Sequence, residues 1–225
     1  MVTTGWNDGG FQAKTEVLDL SIAEKFQCQD WPDYPMAVGG ATIGLLGKEV
    51  LVCGGYDGTS IIDECYSINS KGTVFVTKMT HKRDYAASVN INEDTIWITG
   101  GWNGNYLSSS EFMTVEGSMA GPELPIPVDG HQMVAIDNEL TMVIGGFSPG
   151  SVTLAQTFYY DHSNKQWVDG PTLNQARRQH AAGTVTDEVT MERMVVISGG
   201  KDGSYLKSTE ILYDGDWSLG IYYCV

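Results

Sequence analysis

The sequence predicts an all-β fold of repeated four-stranded antiparallel units arranged around an axis, a β-propeller. Three observations lead to this prediction. A hydrophobic run that ends in small residues recurs along the chain, a turn-forming segment follows each run, and no stretch shows helical periodicity. The chain has 225 residues and no linker divides it, so we expect a single domain over residues 1–225.

The hydrophobic run occurs five times, ending in Thr-Gly in the first copy and in Gly-Gly in the other four. The first small residues of the copies are Thr4, Gly54, Gly100, Gly145 and Gly199. Successive copies therefore lie 50, 46, 45 and 54 residues apart. A period near 50 residues is typical of one class of propeller blade.

The segments after the runs predict the other strands of each unit. Turns that mostly contain Asp-Gly or Asn-Gly come first and supply the positive φ angles of tight hairpins. These turns are residues 6–9, 56–58, 102–104, 147–150 and 201–203. A third strand follows each turn, and a bulky residue then marks an outer fourth strand. The bulky residues are Phe26, Phe75, Met119, Trp167 and Trp217.

The strand before each later glycine pair is rich in small residues, at 36–43, 85–91, 131–136 and 180–185. We assign this strand to the innermost position, because the blades of a propeller converge toward the axis and leave little space there. The paired glycines are expected where one backbone approaches another, so that a Cβ atom would clash.

The last copies carry the fullest motif. Arg178, His180 and two alanines precede the final glycine pair, and the residues that follow it are Tyr213, Asp214 and Trp217. The preceding glycine pair is followed by Tyr160, Asp161 and Trp167. In this pattern the whole chain resembles the kelch-repeat family, although earlier copies drift from it. The resemblance implies a kelch-type propeller that binds another protein through the loops of one face.

Two interpretations of the chain ends stay open. Residues 1–5 are expected to be a second strand, so the first unit lacks its first strand, and kelch propellers generally have six or seven blades. Residues 221–225 follow Trp217 at the step that separates Trp31 from the next first strand. They are expected to complete the first unit and close a ring of about five blades. The alternative is a fragment or short isoform of a larger propeller, with open edges.

The charge and cysteine content limit the partners. With 13 basic and 28 acidic residues the formal net charge is −15, so neither nucleic acid nor a membrane is an expected partner. No N-terminal signal segment is visible, and a cytoplasmic protein with reduced thiols is favoured. Cys53 and Cys65 are able to face each other across a hairpin, and the four cysteines have no metal-site spacing.

The sequence contains none of the common catalytic motifs. Histidines recur at equivalent repeat positions and glutamates at similar positions of the third strand. This recurrence favours structural roles for His131, His180, Glu16, Glu64, Glu111 and Glu210. We therefore expect a non-enzymatic protein without a metal or cofactor. An oxidase-like enzyme domain on a kelch scaffold is the alternative.

The predicted partner site lies in the loops after the glycine pairs and before the inner strands. Aromatic residues and arginine dominate interface energies, so these loops are expected to hold an extended protein segment with basic flanks. The role expected is that of a substrate adaptor or cytoskeleton-associated protein. The predicted contact residues are Trp6, Tyr56, Trp102, Phe147, Arg83, Arg178, Tyr106 and Tyr205.

Overall fold

The computed structural model describes residues 2–7, 9–18, 28–186 and 191–220, which form strands and loops without a helix. Sheet 1 contains β1 (Val2–Asn7), β2 (Gly10–Leu18) and β3 (Cys28–Trp31). Sheet 2 contains β4 (Thr42–Leu46), β5 (Glu49–Cys53), β6 (Glu64–Asn69) and β7 (Gly72–Lys78). Sheet 3 contains β8 (Ala87–Asn92), β9 (Thr95–Thr99), β10 (Ser110–Thr114) and β11 (Gly117–Ala120).

The second half of the chain repeats this plan and adds two short hairpins. Sheet 4 begins with β12 (Gln132–Ala135) and β13 (Leu140–Ile144). The hairpin β14 (Phe147–Ser148) and β15 (Val152–Thr153) leads to β16 (Thr157–Asp161) and β17 (Gln166–Asp169), which complete sheet 4. Sheet 5 begins with β18 (Ala181–Thr186) and β19 (Arg193–Ser198). The hairpin β20 (Lys201–Asp202) and β21 (Ser204–Tyr205) leads to β22 (Thr209–Tyr213) and β23 (Asp216–Gly220).

Each of sheets 1 to 5 is an antiparallel meander, and sheets 2 to 5 run from an inner to an outer strand. The inner strands β4, β8, β12 and β18 are neighbours in turn, so sheets 2 to 5 are arranged around an axis. The second strands β9 and β13 each end in four consecutive buried residues, because both of their faces pack against other sheets. Four hydrophobic clusters fill the spaces between successive sheets.

The glycine pairs of sheets 2 to 4 lie where one backbone closely approaches another, as the sequence predicted. Gly100 and Gly101 have φ angles of 58° and 96°. A Cβ atom on Gly100 would lie 2.5 Å from the carbonyl oxygen of Val128, and one on Gly101 would lie 2.8 Å from that of Asp84. The N–H of Gly101 donates to the Val128 carbonyl at 2.8 Å. A side chain at Gly100 would therefore disturb the approach of sheet 3 to sheet 4, and one at Gly101 would disturb the packing of sheet 3 against its own inner-strand segment.

A disulfide joins Cys53 of β5 to Cys65 of β6. The two residues are opposite each other in the strand register, with Cα atoms 4.1 Å apart, and both are buried between sheets 2 and 3. The expectation of reduced thiols is therefore wrong for this pair, because facing positions on antiparallel strands bring the two sulfurs together. The side chain of Cys28 and the whole of Cys224 lie outside the described residues.

The predicted all-β fold of four-stranded antiparallel units is confirmed, and it fits a β-propeller. The inner strand that differs most from its predicted position is β4, which begins at Thr42 instead of residue 36, because Val38 and Gly39 form isolated bridges and Gly40 has a φ of 69°. No described sheet closes on itself, and β1 is the edge of sheet 1. The predicted closing strand, residues 221–225, lies outside the described residues.

Candidate functional site

Four bridges gather equivalent loop residues at one end of the sheets. Each bridge pairs the residue after a glycine pair with a residue just before the inner strand of the same sheet. The bridges join Gly39 to Tyr56, Asp84 to Trp102, Asp129 to Phe147, and Arg178 to Lys201. In sheet 3, the Trp102 N–H donates to the Asp84 carbonyl at 2.8 Å, and the reverse bond is 2.9 Å long. We call the surface that carries these bridges the loop face.

The residue after each bridge has a left-handed backbone in all four sheets. The φ angles are 69°, 53°, 57° and 52° for Gly40, Tyr85, Gly130 and Gln179. Each of the last three donates its N–H to the carbonyl of the one before it, at 2.9, 2.9 and 2.7 Å. This line of hydrogen bonds links sheets 2 to 5 around the axis. Tyr85 and Gln179 occupy strained positions that glycine fills without cost, and their side chains are exposed on the loop face.

Three aromatic side chains form a row on the loop face. The ring centroids of Trp102 and Tyr106 are 4.7 Å apart, and those of Tyr106 and Phe147 are 6.0 Å apart. The guanidinium carbon of Arg178 lies 3.7 Å from the centroid of the Phe147 ring, a cation–π contact. All four side chains are partly exposed, so the row is both packed and open to solvent.

Two cavities open on the loop face, and the residues of the row line one of them. The ring cavity has a volume of about 210 Å³ and is lined by Asp84, Tyr85, Trp102, Tyr106, Asp129, Phe147 and Arg178. The axial cavity has a volume of about 540 Å³ and is lined by Gly5, Phe11, Gly39, Gly40, Tyr85, Gln179, Lys201 and Tyr205. Because Tyr85 borders both, the two cavities adjoin.

The ring cavity holds two carboxylates in an unfavourable environment. Burial raises the pKa of Asp84 to about 6, the Tyr85 N–H opposes this change, and the charge of Asp129 adds to it. Burial also raises the pKa of Asp129 to about 6, against the effect of Arg178 and Lys201. Within the described ranges neither carboxylate forms an ion pair, and Oδ1 of Asp84 has no hydrogen-bond partner.

Arg83 does not lie on the loop face, which corrects its place in the predicted contact set. Its side chain is buried inside sheet 3, where Nε donates to Oε1 of Glu111 at 2.8 Å. Its Nη1 donates to the carbonyls of Gly100 and Ser109 at 2.7 and 2.9 Å. The equivalent residue of sheet 5 is Arg177, not Arg178. Arg83 therefore has no donor to offer a partner, because its guanidinium is buried and bonded within its own sheet.

The other predicted contact residues are placed as follows. Trp102, Tyr106, Phe147 and Arg178 come together at the ring cavity. Tyr56 packs edge-to-face against Phe11, with ring centroids 5.6 Å apart, so it is separate from that row.

Tyr205 is 88% exposed and borders the axial cavity. The Trp6 backbone pairs with Phe11 in sheet 1, but the Trp6 side chain lies outside the described residues. The contribution of each of these residues to partner binding stays a prediction.

Sequence reasoning missed Asp84, Tyr85, Asp129 and Gln179. Each lies just before the small-residue inner strand, and the two aspartates occupy the same repeat position. Aligning the copies on the inner strand rather than on the arginines alone would have found this position, because bridge residues keep a fixed spacing from that strand.

His131 and His180 occupy equivalent positions of successive repeats, and a structural role for them stays a prediction. Both are buried, and burial lowers the pKa of each to about 3, so both imidazoles are neutral at physiological pH. Nε2 of His131 lies 2.8 Å from the Thr99 hydroxyl. Among the described residues, no three metal-ligating side chains converge. The same residues contain no helix long and apolar enough to span a membrane.

Comparison with known proteins identifies the fold only. No protein-family model matches the chain, and no curated protein matches it. A solved structure described as "Structure of YjhT" aligns with a TM-score of 0.76 and 13% sequence identity, over 92% of this chain and 83% of that one. At this level of identity the similarity supports a shared architecture and says nothing about activity.

Proposed function

We propose that this chain is a kelch-type propeller of five blades that binds an extended segment of another protein on its loop face, without enzymatic activity. The observation that carries the proposal is the row of Trp102, Tyr106 and Phe147, capped by Arg178, next to the axial cavity. A substrate adaptor or a cytoskeleton-associated protein would use such a surface to bind its partner.

Physical reasons support a protein ligand. Partly exposed aromatic side chains and arginine contribute most of the energy at protein interfaces. The rings are already held by edge-to-face contacts and by the bridges, so little side-chain entropy is lost on binding. The ring and axial cavities adjoin at Tyr85, so an extended segment is able to span both.

We further propose that residues 221–225 form the inner strand of sheet 1. Sheet 1 has three described strands where sheets 2 to 5 have four, and β1 holds the second position of the pattern. Deleting residues 221–225 is expected to lower the melting temperature, because each large side chain that the strand buries contributes roughly 1.5–3 kcal/mol. An unchanged melting temperature would favour a fragment of a larger propeller.

The binding proposal is tested with a partner identified by cross-linking and mass spectrometry. Trp102→Ala and Phe147→Ala are each expected to weaken binding of that purified partner by about 2 kcal/mol, or roughly 30-fold, if the ring is a hot spot. Phe75→Ala is the matched control, because Phe75 is a half-exposed ring on the outer strand β7, away from the loop face.

Dissociation constants and melting temperatures are measured together. If both loop-face variants keep their stability and bind as tightly as the wild type, the partner site lies elsewhere. If they unfold, the rings serve packing between strands and the site assignment fails.

The cellular compartment is a separate question. Composition favours a cytoplasmic protein, whereas the Cys53–Cys65 disulfide favours an oxidising compartment, because cytosolic thiols are kept reduced. Peptide mapping of the protein isolated from its own cells, without a reducing agent, decides between the two locations.

A further inference from the structure

Equivalent aromatic rings in adjacent repeats have different neighbouring side chains. Phe147 of sheet 4 is covered by the guanidinium of Arg178, which comes from the bridge of sheet 5. Trp102 of sheet 3 is the equivalent ring, and the residue of the following sheet that is equivalent to Arg178 is Asp129. No cation lies over Trp102 among the described residues. The repeat thus places a carboxylate beside Trp102 at the position where the next repeat places a cation.

The ring cavity has more negative than positive side chains, because Asp129 stands where the next repeat has Arg178. Asp84 and Asp129 both line it, and Arg178 is its cationic side chain among the lining residues. Neither carboxylate is ion-paired within the described part of the chain, and one oxygen of Asp84 is unpartnered. Arg178 is engaged with Phe147, at the end of the aromatic row away from Trp102. The Trp102 side of the cavity therefore offers acceptors and an aromatic ring but no donor charge.

We propose that the ring cavity binds one basic side chain, a lysine or arginine, of the partner segment. This inference rests on the proposed function and adds the chemistry of a residue that the partner must present. The cation would lie beside the carboxylate of Asp129 and against the ring of Trp102, repeating with an external residue the contact that Arg178 makes with Phe147. Asp84 lines the same cavity, with its Oδ1 buried next to Gly40 of sheet 2.

Three kinds of interaction would hold the basic side chain. Charge-assisted hydrogen bonds to the carboxylates are stronger than neutral ones. The faces of Trp and Tyr rings attract a cation, most of all when it is partly desolvated. The apolar stem of lysine or arginine would cover the row formed by Trp102, Tyr106 and Phe147. The net charge of −15 on the chain also attracts a basic segment during the encounter.

The pKa values of the two carboxyl groups predict how this binding depends on pH. Because the pKa of Asp84 and that of Asp129 are each raised to about 6, both groups gain protons as the pH falls from 7 to 5. Arg178, Lys201 and the Tyr85 hydroxyl also face or influence these carboxyl groups. Affinity for a cation is therefore expected to fall as the pH falls through 6.

The test uses Nα-acetyl-lysine-N-methylamide as the probe and the norleucine analogue as its neutral control. The isotope-labelled protein is titrated with each, and the indole N–H resonance of Trp102, assigned from a Trp102→Phe sample, is followed by NMR. We expect the lysine probe to shift this resonance in a saturable way at pH 7.5, and the norleucine probe to leave it unchanged. Asp84→Asn and Asp129→Asn are each expected to weaken lysine binding roughly tenfold or more.

Asp202→Asn is the matched control, because Asp202 is an exposed aspartate on β20, outside the ring cavity. Its lysine affinity is expected to equal that of the wild type. Equal shifts from lysine and norleucine, or no saturable shift with the lysine probe, would overturn the inference. In that case a loss of partner binding in Trp102→Ala would still support the proposed function, so the two failures are distinguishable.

Discussion

Sheets 3 and 5 hold a buried ion pair where sheets 2 and 4 hold apolar side chains. Arg83 pairs with Glu111 in sheet 3, and Arg177 pairs with Glu210 in sheet 5, each at 2.8 Å and with both partners almost fully buried. The equivalents of the arginines in sheets 2 and 4 are Val38 and Val128, which lie in the hydrophobic clusters between sheets. The strand register makes Tyr66 and Phe158 the equivalents of the glutamates.

This difference teaches that the repeat specifies a backbone arrangement rather than one kind of interaction. In sheets 3 and 5 the guanidinium donates to the carbonyls of Gly100 and Gly199, at the end of the second strand, at 2.7 Å in each case. In sheets 2 to 5 the backbone carbonyl of the arginine or valine accepts a hydrogen bond from a glycine N–H of the preceding sheet. The accepting residues are Val38, Arg83, Val128 and Arg177, and the donors are Gly5, Gly55, Gly101 and Gly146. A buried ion pair offsets its desolvation cost only when its geometry is complete. The ionic sheets are therefore expected to be less tolerant of single changes than the apolar ones.

The largest expected effect comes from breaking one ion pair. Arg83→Val leaves Glu111 buried without its cation, and we expect the free energy of unfolding to fall by about 3–5 kcal/mol. Val128→Ala in sheet 4 changes the equivalent position by removing two methyl groups, and a smaller loss is expected. Urea unfolding of the two variants compares the two kinds of sheet directly.

The double variant Arg83→Val/Glu111→Phe sharpens the same comparison. It copies into sheet 3 the pair that sheet 4 carries, so most of the lost stability is expected to return. If the double variant is as unstable as Arg83→Val alone, the ion pair has a role that the apolar pair cannot replace, and the equivalence of the sheets fails.

The next effect concerns sheet 2, which has a covalent link where its neighbours have none. Cys53 and Cys65 are separated by 12 residues in sequence, and a loop of this length predicts a stabilisation of about 3 kcal/mol from the disulfide. In sheet 5 the equivalent residues Ser198 and Thr209 form a hydroxyl–hydroxyl hydrogen bond of 2.9 Å.

Replacing the disulfide with the pair of sheet 5, as Cys53→Ser/Cys65→Thr, is expected to lower the free energy of unfolding by about 3 kcal/mol. Adding a reducing agent is expected to lower the melting temperature of the wild type and to leave that of the double variant unchanged. Equal melting temperatures for oxidised and reduced wild type would show that the link adds no stability.

The comparison of sheets also shows where sequence reasoning succeeds. The glycine pairs and the hydrophobic second strands predicted the four-stranded units, because both are imposed by close packing near an axis and leave a direct mark in the sequence. The arginines show no comparable sequence pattern that would predict where their side chains lie. Arg83 and Arg178 look alike in sequence, yet one is buried against Glu111 and the other covers Phe147. Arg178 is itself a bridge residue, whereas Arg83 directly precedes one. The sequence alone does not show this difference of one residue in register.

The ring cavity was out of reach for the same reason. Asp84 and Asp129 are ordinary acidic loop residues by sequence, and only the bridges to Trp102 and Phe147 bring them into one cavity. The disulfide was partly predictable from the sequence. A hairpin between Cys53 and Cys65 was expected, but only the strand register shows that the two residues lie opposite each other.

The smallest expected effect is the share of the pH dependence of stability that Asp84 and Asp129 contribute, which opposes the contribution of two buried histidines. The pKa values of His131 and His180 are lowered from 6.5 to about 3, so the stability that neutral imidazoles contribute is lost as the pH falls from 6.5 toward 3. The pKa values of Asp84 and Asp129 are raised from 3.8 to about 6, so their protonation in the folded state adds stability as the pH falls from 6 toward 4.

The two trends oppose each other between pH 6 and pH 4, and removing one of them exposes the other. The variant Asp84→Asn/Asp129→Asn no longer gains protons at these sites, so its free energy of unfolding is expected to fall more steeply between pH 6 and pH 4 than that of the wild type. Both carboxyl groups are partly exposed, so solvent screening keeps the difference small. Urea unfolding at closely spaced pH values measures it. Parallel curves for variant and wild type would mean that these carboxylates are not strained in the folded protein, and the cation site would lose its electrostatic support.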